Sequence, residues 1–430
     1  MSEQCIFKSQ SLSDWLFYLE SQHNKEIDLG LERVLTVAEN ASVKDLHAGK
    51  VVLVAGTNGK GTTIRFIEQY LLGLGKSVGV YSSPHMFEYN ERVRINGNSA
   101  SDQDLIDSFS FIEQHRKGTS LSYFEFGTLA GFKLLQSKQL DYVLVEVGLG
   151  GRLDATNILE HDVSVVTSIG LDHIDWLGDT IEKIGFEKAG VFRKDKPAVV
   201  GEPKHIESIT QQAKNHQVSE FVQFGQDYSF ELNTSLLENT WDFVYDDIRF
   251  NKLPNVLIPK QNICTSLVTL IKLGVTLEQG NIEQTLSKLS LPGRMQIVST
   301  EPLQMVDVAH NPHAVEYLRS MVLADNQLKS VSSVTAVIAM MKDKDIKQTL
   351  SLMIDVVDEW VLGDLVGNPR AAKKEDIAEI LKSLGQNNVT MLPSVKLAWL
   401  YANENQNKDS LLLGFGSFYT VAEILNKEED

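Results

Sequence analysis

Residues 51–62 read Val51-Val52-Leu53-Val54-Ala55-Gly56-Thr57-Asn58-Gly59-Lys60-Gly61-Thr62. The apolar, β-branched run predicts a buried strand, the glycines predict a tight turn, and an amphipathic run that starts at Thr63 predicts a helix. A strand, a glycine-rich loop and a helix in this order are typical of a nucleotide-phosphate site, because backbone N–H groups and the positive helix end face the anion. We expect Lys60 to reach the outer phosphates and Thr62 to offer its hydroxyl to Mg²⁺.

The spacing of this loop departs from the usual phosphate-loop pattern. That pattern has four residues between its glycines and a hydroxyl residue directly after the lysine. Here two residues separate Gly56 from Gly59, and Gly61 stands between Lys60 and Thr62. An ordinary glycine turn between a strand and a helix is therefore the alternative interpretation.

Length and composition restrict the class of protein. A chain of 430 residues is longer than one hydrophobic core usually covers, so we expect two domains. The formal net charge of −17 argues against a nucleic-acid or anionic-membrane partner but does not exclude a small anionic ligand. Only two cysteines occur, Cys5 and Cys264, and the start of the chain has no apolar signal core. We expect a cytoplasmic protein without structural disulfides.

Strands and helices alternate along most of the chain, which predicts an α/β fold with a mainly parallel sheet. Residues 219–258 are different: Phe221–Phe224 and Trp241–Tyr245 alternate with polar residues and predict a small antiparallel sheet. After the breaker cluster Leu291-Pro292-Gly293 a second, shorter α/β series follows. We place the domain boundary near residues 293–298.

Three polar clusters follow predicted strands, at the edge where α/β proteins bind ligands. They are Ser82–His85, Glu146–Asn157 and Thr167–His173. A charge on the apolar strand that ends at Glu146 is costly unless it is paired or metal-bound. Together, Ser, Glu and His beside a phosphate loop suit Mg²⁺. A salt bridge for Glu146 and a packed loop position for His173 are the alternatives.

Further candidates lie on the next helix and in the second series. Lys188 reads, from spacing alone, as a solvated helical lysine. Asn311 and Pro312 form a good helix start, whereas Asp307 and His310 beside them have no such structural reason. The glycines around Ser417 predict either a second anion site or a tight turn.

Taken in order, these motifs resemble the folylpolyglutamate synthase/dihydrofolate synthase family, a branch of the Mur-ligase-type ATP-dependent amide ligases. The resemblance covers nearly the whole chain. The stretches that carry it are Ile27–Arg33, Gly56–Thr62, Ser82–His85, Gly148–Asn157, Gly170–His173, Glu187–Gly190, Gly293-Arg294, Asp307–Pro312 and Gly416–Phe418.

The resemblance implies an ATP-binding domain over residues 1–295, with a P-loop-type mainly parallel sheet and a small antiparallel sheet. It implies a smaller Rossmann-like glutamate-ligase domain over residues 296–430. It also implies two Mg²⁺ ions, one held by Ser83 and Glu146 and the other by His173. Lys188 would be carbamylated, which turns an ammonium into an anionic group with oxygen donors, so that it ligates metal or positions an acyl phosphate.

The remaining site residues follow from the same resemblance. ATP would contact Asn58, Gly59, Lys60, Gly61, Thr62, Asn262, Arg294 and Asp307. Dihydropteroate or a reduced folate would lie near Leu29, Gly30, Leu31, Glu32, Ser122, Tyr123, Phe124, Glu125, Leu153, Asp154 and Ala155. Lys188, His173 and His310 would be catalytic, and Ser417 would lie with His310 near the incoming L-glutamate.

The implied reaction is ATP-dependent addition of L-glutamate to dihydropteroate and to reduced folates through an acyl phosphate, by a monomer. Three alternatives remain at this point: one of the two activities alone, a Mur-type ligase acting on a cell-wall precursor, and an ATP-binding regulatory protein without turnover. The short N-terminal segment argues against the second of these. The combination of Lys60, Glu146, His173 and Lys188 argues against the third.

Overall fold

The computed structural model describes residues 11–23, 28–233, 239–325 and 328–426. Cys5 and Ile27, both used in the sequence interpretation, lie outside these ranges. The chain forms two compact units. The first contains Met1–Ile169, Asp179–Asn255 and Lys260–Leu289, and the second contains Gly170–Gly178, Val256–Pro259 and Ser290–Asp430. The predicted boundary between residues 295 and 296 stays a prediction.

The first unit is built on a large, mainly parallel sheet whose strand order is β4-β3-β2-β5-β1-β6-β7-β8. Its strands are β1 (Lys50–Ala55), β2 (Val78–Tyr81), β3 (Val93–Ile95), β4 (Asn98–Ser99), β5 (Tyr142–Glu146), β6 (Val163–Val166), β7 (Pro197–Val200) and β8 (Glu220–Gln223). The central strand β1 pairs in parallel with β5 and β6. The loops that follow these three strands therefore leave the same edge of the sheet.

Helices cover this sheet and join its strands. They are α1 (Leu12–Ser21), α2 (Glu32–Ala41), α3 (Lys60–Gly73), α4 (Asp102–Arg116), α5 (Tyr123–Gln136), α7 (Ile181–Ala189), α8 (Glu207–His216), α9 (Lys260–Lys272) and α10 (Gln279–Lys288). The prediction that the helix after the glycine-rich loop starts at Thr63 is wrong, because α3 begins at Lys60. Gly59 precedes it with a φ of 90°, a left-handed conformation that glycine adopts without strain.

The small antiparallel sheet is confirmed, but one of its predicted members belongs elsewhere. It consists of β9 (Tyr228–Asn233), β10 (Thr240–Tyr245) and β11 (Ile248–Pro254). Phe221–Phe224 was assigned to it because apolar and polar residues alternate there. Instead β8 pairs in parallel with β7 at the edge of the large sheet. The alternation in sequence is not an alternation of burial, because Val222 and Gln223 are both buried. The Gln223 side-chain amide donates to the carbonyl oxygens of Glu202 and Lys204, so this polar residue is accommodated in the interior.

The second unit contains a six-stranded sheet in the order β12-β13-β17-β14-β15-β16. Its strands are β12 (Gln296–Thr300), β13 (Leu303–Asp307), β14 (Ser333–Ile338), β15 (Glu359–Gly363), β16 (Val389–Leu392) and β17 (Ser410–Phe415). Its helices are α6 (Ile174–Leu177), α11 (Pro312–Ala324), α12 (Ile346–Ser351), α13 (Lys374–Ser383), α14 (Val395–Glu404) and α15 (Phe418–Leu425). Only β12 is antiparallel to its neighbour. The predicted α/β class is therefore confirmed for both units.

A buried ion pair joins the phosphate-loop helix to the edge of the large sheet. The carboxylate of Glu68, on α3, is fully buried and lies 3.0 Å from guanidinium nitrogens of both Arg65 and Arg94. Arg94, on β3, also donates to the hydroxyl of Ser82, 3.1 Å away. The pair therefore links the helix after the glycine-rich loop to the residue before Ser83.

We predict that Arg94→Met destabilises the first unit by about 3 kcal/mol, because it leaves the Glu68 carboxylate buried with one partner fewer. The matched control is Lys138→Met, which breaks the more exposed pair with Asp104 and should cost less than about 1 kcal/mol. Denaturant unfolding of the two variants measures the difference. Equal destabilisation by both variants would contradict the importance of the Glu68–Arg94 pair.

Candidate active site

The end of β6 fixes the backbone of the glycine-rich loop. The amide of Thr57 donates to the carbonyl oxygen of Ser168 at 2.7 Å. The hydroxyls of Thr167 and Ser168 donate to the carbonyl oxygen of Asn58, at 2.7 and 3.0 Å. These contacts hold the glycine-rich loop at the edge of the sheet where β1 and β6 end.

Asn262, on α9, packs against the loop at Gly59. A Cβ atom added to Gly59 would lie 2.6 Å from Oδ1 of Asn262. Only a glycine therefore fits here, on steric grounds as well as for its positive φ. The structure therefore places Asn262 against Gly59, about 200 residues away in sequence. That both residues contact the nucleotide, as the resemblance implies, stays a prediction.

Two lysine ammonium groups meet at one carbonyl oxygen of the loop. Lys60 donates to the oxygen of Gly56 at 3.0 Å, and Lys188, on α7, donates to the same oxygen at 3.1 Å. The spacing-based interpretation of Lys188 as a solvated helical lysine is wrong, because this residue is 5% exposed. Two cations this close repel each other, so the arrangement favours an anion beside them.

Ser83, just after β2, lies next to Glu146, the last residue of β5. The amide nitrogen of Ser83 is 3.4 Å from Oε2 of Glu146, and Glu146 is 7% exposed. Within the ranges that the structure describes, no group of three or more His, Cys, Asp or Glu side chains is arranged to hold a metal ion. A hydroxyl and a carboxylate next to a phosphate loop nevertheless fit Mg²⁺, which takes few protein ligands and completes its shell with water and phosphate oxygens.

The loop between β5 and β6 links two other parts of the predicted site. A Cβ on Gly148 would lie 2.4 Å from the ring of Phe124, and one on Gly151 would lie 2.8 Å from the carbonyl oxygen of Lys188. Asp154 accepts hydrogen bonds from the amides of Leu149 and Thr156. Burial raises the pKa of Asp154, and these hydrogen bonds oppose that rise.

Arg33 joins the two stretches predicted to bind the organic substrate. Its guanidinium pairs with Asp28 at 2.8 Å and with Oε1 of Glu125 at 3.0 Å. The other oxygen of Glu125 accepts from the amide of Ser122, which caps α5. Residues 28–32 and 122–125 therefore lie together, with Leu29, Gly30, Leu31, Glu32, Tyr123 and Phe124 in the same region of the first unit.

In the second unit, the carboxylate of Asp307 binds two backbone amides next to strands β12 and β13. Its carboxylate accepts from the amides of Met295 and Ala309, at 2.8 and 2.7 Å. Burial raises its pKa, and the charge of Arg294 opposes that rise. The guanidinium of Arg294 lies 5.0 Å from the ring centre of Phe418. Arg294 and Asp307, both predicted to contact nucleotide, are thus neighbours.

Two predicted helix starts of the second unit are confirmed. Asn311 caps α11 through the amide of Ala314, with Pro312 in the first position. Ser417 caps α15 through the amide of Thr420 and is 3% exposed. Ser417 therefore has a structural role of its own, which the sequence had left open between an anion site and a turn.

His173 lies in the second unit, although the strand before it belongs to the first. Its Nε2 atom is 3.4 Å from Nζ of Lys344, and the same ammonium donates to Oδ1 of Asp172 at 2.7 Å. Asp172 is also 3.4 Å from Nε2 of His310. The carboxylate of Asp172 therefore lies next to both His173 and His310.

Comparison with known proteins identifies the family of the chain. The Mur ligase middle domain matches residues 54–252, and the Mur ligase glutamate ligase domain matches residues 293–418. The chain is similar to the dihydrofolate synthase/folylpolyglutamate synthase of Escherichia coli K12, with 45% identity over 96% of this chain and 94% of the relative. The chain belongs to the dihydrofolate synthase/folylpolyglutamate synthase family.

Solved structures of this family have the same fold. E. coli FolC in complex with DHPP and ADP has a TM-score of 0.91 and 44% identity, with 97% of each chain covered. A bifunctional folylpolyglutamate synthase/dihydrofolate synthase with Mn, AMPPNP and L-glutamate bound has a TM-score of 0.89 and 42% identity, covering 97% of this chain and 98% of that one. As a member of the family, the chain is an ATP-dependent ligase.

Sequence reasoning on this member of the family missed the contacts of two residues. It used Arg33 only as part of the stretch Ile27–Arg33 and did not predict its ion pairs with Asp28 and Glu125. It also passed over Lys344, which stands in Asp343-Lys344-Asp345 after β14, at the carboxyl end of a parallel strand. The position of Lys344 at a strand end was the available signal.

We predict that Gly59→Ala weakens nucleotide binding on the order of tenfold or more in this family member, since alanine at φ 90° is strained and its Cβ would displace Asn262. Isothermal titration with ADP measures the change. Gly73→Ala at the end of the same helix is the control: nothing lies within 4 Å of its Cβ position, so we expect unchanged affinity. Wild-type affinity in Gly59→Ala would refute the steric argument.

Proposed function

We propose that this chain joins L-glutamate to dihydropteroate, which forms dihydrofolate, and to reduced folates, which forms their polyglutamates, with hydrolysis of ATP. The observation that carries the proposal is the convergence of Lys60 and Lys188 on the Gly56 carbonyl beside the Ser83–Glu146 pair. Cations that face an anion site, next to oxygen ligands for a metal, suit phosphoryl transfer from ATP. The similarity to bifunctional relatives extends over almost the whole chain.

The nucleotide would contact the glycine-rich loop and three further residues. Asn58, Gly59, Gly61 and Thr62 would surround the phosphates through backbone N–H groups and the Thr62 hydroxyl, and Lys60 would neutralise the outer phosphates. Asn262, Arg294 and Asp307 would complete the site. In this proposal residues 1–295 form the ATP-binding domain and residues 296–430 the glutamate-ligase domain. The packing of Asn262 against Gly59 supports the proposal that Asn262 contributes to the nucleotide site.

Two Mg²⁺ ions would assist the reaction. Ser83 and Glu146 would hold one and His173 the other, and carbamylated Lys188 would ligate metal or position the acyl phosphate. When bound, the metal neutralises charge on the transferred phosphoryl group. The oxygen donors of Ser83 and Glu146 fit Mg²⁺.

Lys188 would carry a carbamate, formed by addition of its neutral amine to CO₂ with loss of a proton. The change replaces a cation by an anion beside Lys60, which removes the repulsion between the two ammonium groups. The shared contact with the Gly56 carbonyl supports this proposal.

The organic substrate would lie against Leu29–Glu32, Ser122–Glu125 and Leu153–Ala155. Its carboxylate attacks the γ-phosphorus of ATP and forms an acyl phosphate with release of ADP. The amine of L-glutamate, with its proton removed, then attacks the acyl carbon, and phosphate leaves as the amide forms. Positioning of the two reactants supplies up to about 7–11 kcal/mol of the barrier reduction. His310 and Ser417 would lie near the glutamate.

Location and assembly complete the proposal. Among the residues that the structure describes, no helix is both long enough and apolar enough to cross a membrane. We propose a cytoplasmic protein, as the presence of only two cysteines indicates. We further propose a monomer, as the family resemblance implies.

The direct test is glutamate-dependent phosphate release from Mg-ATP, with dihydropteroate and tetrahydrofolate in parallel. We expect turnover with both substrates, since one site would accept the shared pterin. Turnover with a single substrate would restrict the function to one of the two activities. Phosphate release that does not depend on glutamate would contradict a ligase.

We predict that Lys188→Ala lowers turnover on the order of 10²-fold or more with the fold intact, because the anionic group at the γ-phosphate is lost. Bicarbonate or a short carboxylate should restore part of the rate. Lys183→Ala on the same helix is the control, since Lys183 is 62% exposed and pairs with Asp179. Near-normal turnover in Lys188→Ala would exclude the carbamate.

A further inference from the structure

The segment Gly170–Gly178 is attached to the second unit through the carboxylate of Asp172. Oδ1 of this carboxylate accepts from Lys344 at 2.7 Å, and Oδ2 accepts from the side-chain amide of Asn311 at 2.9 Å. Nε2 of His310 is 3.4 Å from Oδ2. The side chains of Lys344 and Asp172 are 8% and 9% exposed. We call Asp172, His310, Asn311 and Lys344 the Asp172 clasp.

The same carboxylate fixes the backbone of His173. The amide of His173 donates to Oδ1 of Asp172 at 2.9 Å. His173 has a φ of 51° and a ψ of 42°, a left-handed conformation that is uncommon for a residue other than glycine. On the other side, a Cβ on Gly170 would lie 3.1 Å from His313. The backbone that carries the His173 imidazole is therefore held by contacts within the second unit.

Asp172 also controls the charge next to the imidazole. Nζ of Lys344 lies 3.4 Å from Nε2 of His173, so an uncompensated ammonium there would repel a divalent cation. The Asp172 carboxylate holds and neutralises that ammonium.

We infer that Asp172 is a positioning residue for the metal ligand His173: the Asp172 clasp fixes the His173 segment to the second unit and offsets the charge of Lys344. The inference rests on the proposed function, in which His173 binds a divalent metal. It assigns roles to Asp172, Asn311 and Lys344, which act through His173. Outer contacts of this kind typically change metal affinity ten- to a hundredfold.

The first measurement is hydrogen exchange of the peptide that covers residues 170–178, in metal-free protein. Asp172→Asn keeps the shape of the side chain and removes its charge, so we expect exchange at least about tenfold faster. Asn311→Asp keeps the helix cap but turns a carboxylate oxygen toward Asp172, and should have the same effect. Lys374→Met, which breaks the Lys374–Asp364 pair of the same unit, is the control and should leave this peptide unchanged.

The second measurement is the Mn²⁺ dissociation constant in the presence of AMPPNP, by electron paramagnetic resonance. Asp172→Asn should raise it about ten- to a hundredfold, and Lys374→Met should not. Wild-type exchange in both clasp variants would overturn the inference. Faster exchange with wild-type Mn²⁺ affinity would also overturn it, because the clasp would then be structural only.

His173→Ala separates this inference from the proposed function. If His173→Ala binds Mn²⁺ as tightly as the wild type, the metal role of His173 is wrong and the positioning role of Asp172 falls with it. If His173→Ala weakens Mn²⁺ binding and Asp172→Asn does not, the inference alone fails.

Discussion

The carbonyl oxygen of Gly56 accepts hydrogen bonds from two lysine side chains, and the candidate active site is organised around that point. Lys60 comes from the start of α3 and Lys188 from α7, so the contact ties the glycine-rich loop to a helix more than 120 residues away. The two positive charges repel each other, and an anion between or beside them offsets this repulsion. ATP phosphates and a carbamate on Lys188 are both anions. Either anion at this point would therefore offset the repulsion between Lys60 and Lys188.

The central position of β1 makes this convergence possible. Because β5 and β6 flank β1 in parallel, the loops that carry Glu146 and Ser168 leave the sheet beside the glycine-rich loop. The hydroxyls of Thr167 and Ser168, after β6, hold that loop, and Glu146 at the end of β5 lies next to Ser83. Burial of these groups makes their mutual contacts stronger than the same contacts in water. In the second unit a single carboxylate, that of Asp172, gathers His310, Asn311 and Lys344 in a comparable way.

The sequence predicted the parts of the fold that depend on local pattern. The strand before Gly56, the helix cap at Asn311 and the antiparallel strand at Trp241–Tyr245 all follow from periodicity or capping chemistry. It failed where tertiary context decides: β8 reads as a half-solvated antiparallel strand because the sequence does not show that the polar Gln223 is buried and hydrogen-bonded. Lys188 looked solvated because helical spacing does not reveal that Gly151 packs on its backbone. The roles of Arg33 and Lys344 were missed for the same reason, since their partners are distant in sequence.

In the proposed reaction the substrate carboxylate attacks the γ-phosphorus of ATP, ADP leaves, and the resulting acyl phosphate then reacts with the amine of glutamate. The most direct measurement uses dihydropteroate with both carboxylate oxygens labelled with ¹⁸O, and mass analysis of the phosphate released during glutamate-dependent turnover. We expect one ¹⁸O atom in each released phosphate, because the bond between the acyl carbon and the bridging oxygen breaks and that oxygen leaves with the phosphate. Phosphate without the label would contradict an acyl phosphate and with it the proposed use of the Lys60–Lys188 site.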